Sequence, residues 1–338
     1  MLRRSLLAAL AASGVLTTLT ACGGGDEPAT GGSSSSPSAS GGGAFPVTIT
    51  HKFGSTVVES APTRVVTVGY NEEDFVLALG VTPVGSRTPL GAFDATKRPW
   101  AVDLLPAGGI PSVGQAELNF EEIAALRPDL IIGAYAYLQQ ADYDKLTQIA
   151  PTIGDVLPAG QSADTEAAAT WQEELAAIGS ALGKGTEASS LTDDVEAKFT
   201  AAVDANPSFT GKTISVVLYN QGYYALDATD PRGNFFLQLG FSANPLSGSV
   251  SEEQVVQLDT DVLVVLGQSK AEFAQNPAAA GLAAVTENRT VYVPTFASDF
   301  AGALGYSSPI SLPYALEQAV PALAAAADGN PSTVPADL

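Results

Sequence analysis

Residues 112–134, SVGQAELNFEEIAALRPDLIIGA, constrain the fold more than any other stretch of this chain, because they pack four structural instructions into one run. Asn119 is a favourable N-cap, and Glu121 and Glu122 fall in the first helical turn, where carboxylates complement the positive end of the helix dipole. Ile123 and Leu126 supply a short apolar stripe and Pro128 stops the helix. Asp129 then leads into Leu130-Ile131-Ile132, an apolar run of the kind found in a parallel strand covered on both faces, and Gly133 ends it. Helix, stop and buried strand make half of an α/β unit. Open sheets built from such units bind ligands beyond the carboxyl ends of their strands, which here are marked by Tyr135 and Tyr137.

The same pattern returns later in the chain. At a constant displacement, Glu121, Ile123, Leu126, Asp129 and Leu130 fall on Glu253, Val255, Leu258, Asp261 and Val262. Buried strands are expected over 64–69, 81–85, 130–132 and 151–156 in the first half, and over 213–219, 261–266 and 291–294 in the second. Helices are expected over 75–79, 120–126, 143–149, 167–182, 234–239, 252–258 and 309–326. Residues 187–203 add a longer one, with Ala188, Leu191, Val195, Phe199 and Ala202 along one face. The architecture read from this is α/β, with two Rossmann-like lobes facing each other across a cleft, a common position for a small-molecule site. At 338 residues the chain is long enough for two lobes, each with its own core.

The first 44 residues stand apart. Leu2-Arg3-Arg4 is a positive n-region, residues 5–18 an apolar segment too short to span a bilayer, and Leu19-Thr20-Ala21-Cys22 fits a bacterial lipobox. This predicts a signal peptide over 1–21 and lipidation of Cys22, the only cysteine, which leaves no possibility of an internal disulfide. Residues 22–44 then form a flexible Gly/Ser tether. The expected location is extracytoplasmic, held at the cell membrane by lipid alone. Lobes are expected over 45–183 and 207–338, joined through 184–206.

Charge and composition narrow the chemistry. A net charge of −21 repels phosphate backbones and argues against a nucleic-acid partner. There is no GxSxG elbow, and any Ser-His-Asp set would have to use His51, the single histidine, so the chain is read as a non-enzyme. One histidine and one lipobox cysteine cannot assemble a transition-metal cluster, so no resident metal or cofactor is expected. The candidate cleft residues are aromatic and basic: Tyr70, Arg87, Trp100, Tyr135 and Tyr137 from one lobe, and Tyr223, Tyr224, Arg232, Phe296 and Tyr306 from the other. Such a set suits a bulky chelate, with rings covering rigid apolar area and guanidinium forks meeting carboxylate, hydroxamate or catecholate oxygens. Trp100, Arg87 and Arg232 lead that set.

Residues 112–134 also resemble the hallmark "vGxxxxlnlEkiaalkPDLIi" of the iron-siderophore and cobalamin family of periplasmic binding proteins, the substrate receptors of metal-chelate ABC importers, and the similarity of pattern extends from Thr63 to about Ala325. The resemblance implies the class III periplasmic binding protein fold, in which a long helix joins the lobes. It implies a ferric siderophore as ligand, an ABC permease as partner, and a monomeric receptor that binds iron only as a chelate. It implies too that Glu121 and Glu253, at equivalent helix starts on the two lobes, contact permease arginines. Haem or cobalamin, with a tyrosine or His51 as axial ligand, is the alternative ligand class. A surface or signalling lipoprotein that imports nothing is the alternative function.

Overall fold

A computed structural model describes residues 45–89, 93–162 and 168–338; the expected signal peptide, Cys22 and the tether lie outside the described residues. The chain opens with an antiparallel hairpin, β1 (Val47–His51) and β2 (Gly54–Val58), and enters its first sheet at β3 (Val65–Thr67). There follow α1 (Glu72–Ala78), β4 (Gly85–Ser86), α2 (Phe120–Ala125), β5 (Leu130–Ile132), α3 (Gln140–Thr147) and β6 (Thr152–Ile153). The four strands from β3 to β6 are all parallel, in the order β4-β3-β5-β6. Asn119 caps α2 by accepting the Glu122 amide at 3.2 Å, and every residue of β5 is buried, as the pattern of this stretch requires. The strand expected over 81–85 shrinks to Gly85–Ser86, because Pro83 has no amide for a ladder.

Two helices lead out of the first lobe, α4 (Trp171–Ala181) and the long α5 (Gly185–Ala205). Thr170 and Glu173 form a reciprocal capping box that starts α4 later than the apolar pattern alone suggests. In α5, Ala188, Val195 and Phe199 are buried, with Leu191 and Ala202 packed beside them.

The second sheet is built from β7 (Thr213–Tyr219), β8 (Tyr223–Leu226), α6 (Pro231–Leu237), β9 (Ser242–Ala243), β10 (Gly248–Val250) and β11 (Val262–Leu266). Short helices α7 (Lys270–Phe273), α8 (Pro277–Ala280) and α9 (Ala283–Thr286) precede β12 (Thr290–Val293), and α10 (Asp299–Tyr306) and α11 (Ser311–Ala327) close the chain. The order is β10-β8-β7-β11-β12, with β9 also paired to β7; β7, β11 and β12 run parallel, while β8 and β10 are antiparallel additions. The segment Glu252–Leu258, expected as an α-helix, winds as a 3-10 helix behind its Ser251–Gln254 capping box.

The internal repeat holds at the level of individual hydrogen bonds. Asp129 accepts the amides of Thr63 and Arg64, each at 2.8 Å, and so anchors the start of β3; Asp261, its counterpart, accepts the Thr213 amide at 2.8 Å at the start of β7. Each lobe has one outer apolar layer of its own: Ile123, Ile131 and Leu146 in the first, Val255, Leu263 and Phe273 in the second. The inner faces of both sheets share a single continuous core. It runs from Val65, Phe75 and Leu130 through Leu175, Ile178 and Phe199 to Val216, Val264 and Phe235. This two-lobed plan, with α5 between the sheets in chain order, agrees with the fold that the resemblance implies.

Candidate functional site

The strand ends carry the polar and aromatic groups. In the first lobe, β3 runs out into Tyr70 and Asn71, β4 into Arg87, β5 into Tyr135 and Tyr137, and β6 into Asp155. The Asp155 carboxylate accepts the amides of Ala136, Tyr137 and Leu138, which folds the turn after β5 and holds Tyr137 at φ 51°. Tyr137 is 54% exposed and donates its hydroxyl to that of Tyr135 at 2.9 Å. Below them the buried Glu72 accepts the Tyr135 amide at 2.6 Å. Its carboxylate sits so close under β3 that a Cβ on Gly69 would lie 1.9 Å from it, so only glycine fits there. Asn71 donates to the buried Glu174 at 3.0 Å, while its Oδ1 has no partner among the described residues. Burial pushes Glu72 up to about 7, and Glu174 rises well above the usual carboxylate range through burial and the charge of Glu72.

Arg87 is nearly buried. Its Nε and Nη2 donate to the carbonyls of Gln115 and Ala116 at 2.7 and 2.8 Å, Nη1 reaches Val68 O at 3.3 Å, and the guanidinium lies 4.3 Å from the Tyr70 ring centre. Together with Tyr70 and Tyr137 it borders an open depression of about 520 Å³ whose floor and rim include Glu117, Asp142 and Lys145.

The second lobe exposes Tyr224 (48%) at the start of β8 and Phe296 (39%) after β12. Phe296 is set by Gly267, where a Cβ would lie 2.6 Å from the ring and φ is +93°. Tyr223 points to the opposite face of its strand and is half-buried against Tyr219 and Phe273. Arg232, at the start of α6, gives both arms of its fork to Asp230, at 2.9 and 2.6 Å. The two lobes meet electrostatically here. Burial lifts the Tyr135 and Tyr137 hydroxyls above their ordinary values, and among the charges they sense are Asp230, at both, and Arg232, at Tyr137. Both phenols are therefore neutral donor-acceptors at physiological pH.

Several sequence-based expectations need correction. Trp100 is not a free face beside the cleft. It stacks on Phe93 at 5.4 Å, meets Tyr306 edge-on at 5.7 Å and donates Nε1 to Asp74 at 2.7 Å, so its ring and its proton are already committed. Tyr306 is buried, with the Arg98 guanidinium 5.3 Å from its ring centre, and has no surface left for a ligand. His51 is 2% exposed; its Nε2 pairs with Thr56 at 3.0 Å and its Nδ1 accepts the Phe53 amide, so it cannot serve as an axial ligand. Arg232 lies near enough to act on Tyr137, but its Nε and Nη2 are already given to Asp230.

The sequence reading missed Asp155, Glu72 and Glu174. It also missed the seam that holds the lobes together, where Asp74, in α1, accepts Arg98 Nε at 2.8 Å, Trp100 Nε1, and Ser308 Oγ of the second lobe at 2.9 Å. Trp171, which sequence marks only as a helix start, lines a cavity of about 200 Å³ between Pro158, Pro231 and Leu312, and its Nε1 has no partner among the described residues. Glu121 and Glu253 are both exposed, each in the first turn of its helix. Among the described residues no group of His, Cys, Asp and Glu could hold a metal ion, and no helix is long and apolar enough to cross a membrane.

The sequence profile described as "Periplasmic binding protein" matches residues 65–295, which covers both sheets and the helix between them. The chain belongs to this family. Among its curated relatives, the probable siderophore-binding lipoprotein YfiY of Bacillus subtilis is 30% identical over 235 residues, 64% of this chain and 67% of the relative. The Fe(3+)-citrate-binding protein YfmC of the same organism is 30% identical over 253 residues, 71% of this chain and 75% of that one. A periplasmic solute-binding protein from Mycobacterium smegmatis superposes with a TM-score of 0.72 at 31% identity, covering 82% of this chain and 97% of the other. The family is one of substrate-binding proteins, and in this member the strand ends carry Tyr70, Arg87, Tyr135 and Tyr137 in the first lobe and expose Tyr224 and Phe296 in the second.

Proposed function

We propose that this protein is a lipid-anchored extracytoplasmic receptor that captures a ferric siderophore between its lobes and passes it to an ABC permease. The observation that carries the reading is the cleft itself. Tyr137, Tyr224 and Phe296 stay exposed at strand ends of the two lobes, and Arg87 presents a guanidinium held rigidly by backbone carbonyls. Large exposed rings around a few fixed donors are what a bulky, rigid chelate needs for burial and orientation. The Bacillus relative YfiY, a probable siderophore-binding lipoprotein, agrees in ligand and in anchoring. Iron is then cargo within the chelate, and the protein needs no resident cofactor. In this reading residues 1–21 are removed, Cys22 carries the lipid, 22–44 is the tether, 45–183 and 207–338 are the lobes, 184–206 joins them, and the receptor works as a monomer. Glu121 and Glu253 are the docking contacts for the permease.

Titration of the apo-protein with ferric chelates, haem and cobalamin, followed by tryptophan emission and by absorbance of the loaded protein, tests the ligand class. A ferric chelate should bind, and Tyr137→Ala with Phe296→Ala should abolish it. Binding of haem or cobalamin alone would overturn the siderophore assignment. Replacing Glu121 and Glu253 by Ala should leave titrations unchanged and stop uptake in cells, since rim charges act on docking rather than on the cleft.

A further inference from the structure

The charges bordering the cleft are almost all balanced within the protein. Four bases lie here: Arg87 and Lys145 border the depression below Tyr137, Arg98 borders a neighbouring hollow, and the charge of Arg232 acts on the Tyr137 hydroxyl. Arg98 is held by Glu73 and by Asp74 at 2.8 Å, Lys145 pairs with Asp142 at 3.1 Å, and Arg232 is gripped bidentately by Asp230. Only Arg87 has neutral partners, since carbonyls orient a guanidinium without cancelling its charge. The segments 90–92 and 163–167 add no lysine or arginine. Acidic groups at the same walls include Asp155 and Glu117, and the whole chain carries −21. A polyanion entering this space would shed its hydration against one uncompensated cation and several carboxylates, a juxtaposition that rejects ligands. A chelate of low charge would instead exploit what the walls offer in quantity, the rings of Tyr70, Tyr137, Tyr224 and Phe296.

We infer that the ligand is a ferric chelate of zero or single negative charge, of the trihydroxamate class, with Arg87 as its one charged contact, and that polyanionic catecholates and citrates are excluded by the Asp230 carboxylate that occupies Arg232. The inference rests on the cleft being a siderophore site. It also separates this chain from the relative described as binding ferric citrate.

The test is a competition series on the mature apo-protein with a neutral ferric trihydroxamate, a cationic linear ferric trihydroxamate, ferric dicitrate and a triply anionic ferric tris-catecholate, read by quenching of the two tryptophans. The neutral chelate should bind about a hundredfold or more tighter than the tris-catecholate. Equal or tighter binding of catecholate or citrate overturns the inference while leaving the siderophore reading intact. Binding of none of the four overturns both.

A second arm asks whether Asp230 is the cause. Asp230 accepts the Arg232 amide at the start of α6, and Asn keeps that cap, so Asp230→Asn frees the fork with the helix in place. Tris-catecholate affinity should then rise about tenfold or more relative to that for the neutral chelate. Adding Arg232→Gln should erase the gain. An unchanged catecholate affinity in Asp230→Asn, with helix content intact by circular dichroism, would show that charge compensation does not set the selectivity.

Discussion

Arg98 offers the sharpest test of how the lobes are held together. Its side chain is 2% exposed, yet it is fully charged, and it satisfies two carboxylates and one carbonyl at once: Asp74, Glu73 and Ala95 O. Asp74 is itself fully buried and accepts from Arg98, Trp100 and Ser308, the last of these from the other lobe. Arg98→Met keeps the apolar length of the side chain and removes only the charge and the fork. Asp74 would then retain two neutral donors against a negative charge in a dry seam, and its protonation would recover only part of the loss. Breaking a buried pair from one side costs about 3–5 kcal/mol, a large fraction of the roughly 5–15 kcal/mol that stabilises a folded domain. Replacing both partners removes the unpaired charge, so Arg98→Met with Asp74→Asn should be less destabilised than the sum of the single variants, by about 1–3 kcal/mol. Urea unfolding monitored by circular dichroism gives these differences. An Arg98→Met penalty below about 1 kcal/mol, or strict additivity, would refute the claim that this network holds the lobes.

Other expectations follow from the same geometry. Because burial raises Glu72 from 4.5 to about 7, its contribution to stability is full below pH 4.5 and is lost as pH climbs through 7, a change of about 3 kcal/mol at most; Glu72→Gln should flatten the unfolding free energy across that window, and a wild-type curve that rises there would contradict the assignment. Asp129→Ala removes three bonds to Thr63 and Arg64 at an exposed site and should cost about 1–2 kcal/mol, whereas Asp261→Ala removes one and should cost under about 1 kcal/mol, as thermal or urea midpoints would report. Asp155→Ala should release the turn that presents Tyr137 and weaken chelate binding about tenfold or more in fluorescence titration, with a smaller effect on chemical stability. Cys22→Ala should move the protein from the membrane fraction to the soluble one on fractionation of cells.

Much of the fold was legible because its signals are local. The N-cap at Asn119, the stop at Pro128 and the apolar run at Leu130–Ile132 each act within a few residues, and the second copy of that pattern declares the second lobe. The antiparallel strands β8 and β10 were not legible. Both are short, and β8 depends on the turn at Asn220-Gln221-Gly222 that joins it to β7, where Gln221 takes φ +58°; only that glycine hinted at a hairpin. The site was legible as a location and less so as an inventory. Chain position correctly brought Tyr70, Arg87, Tyr135 and Tyr137 to strand ends. It could not reveal that Trp100 spends its indole proton on Asp74, or that Arg232 closes on a residue two positions away, because those outcomes depend on which partner reaches the group first in three dimensions. Asp155 escaped notice because a lone acid after a short strand has no signature until three amides turn toward it.

The apolar core that runs unbroken from one sheet to the other has a thermodynamic consequence for capture. Rotating one lobe against the other would shear close-packed side chains around Leu175, Phe199 and Phe235 and pull Ser308 from Asp74, so this packing opposes any change in the spacing of the lobes. The ordering cost of capture then falls on a few exposed rings, Tyr137, Tyr224 and Phe296, at about 0.5–1.5 kcal/mol for each side chain immobilised. In a frame that resists such shear, selectivity rests on fit to the exposed rings, and release requires their contacts to be broken together.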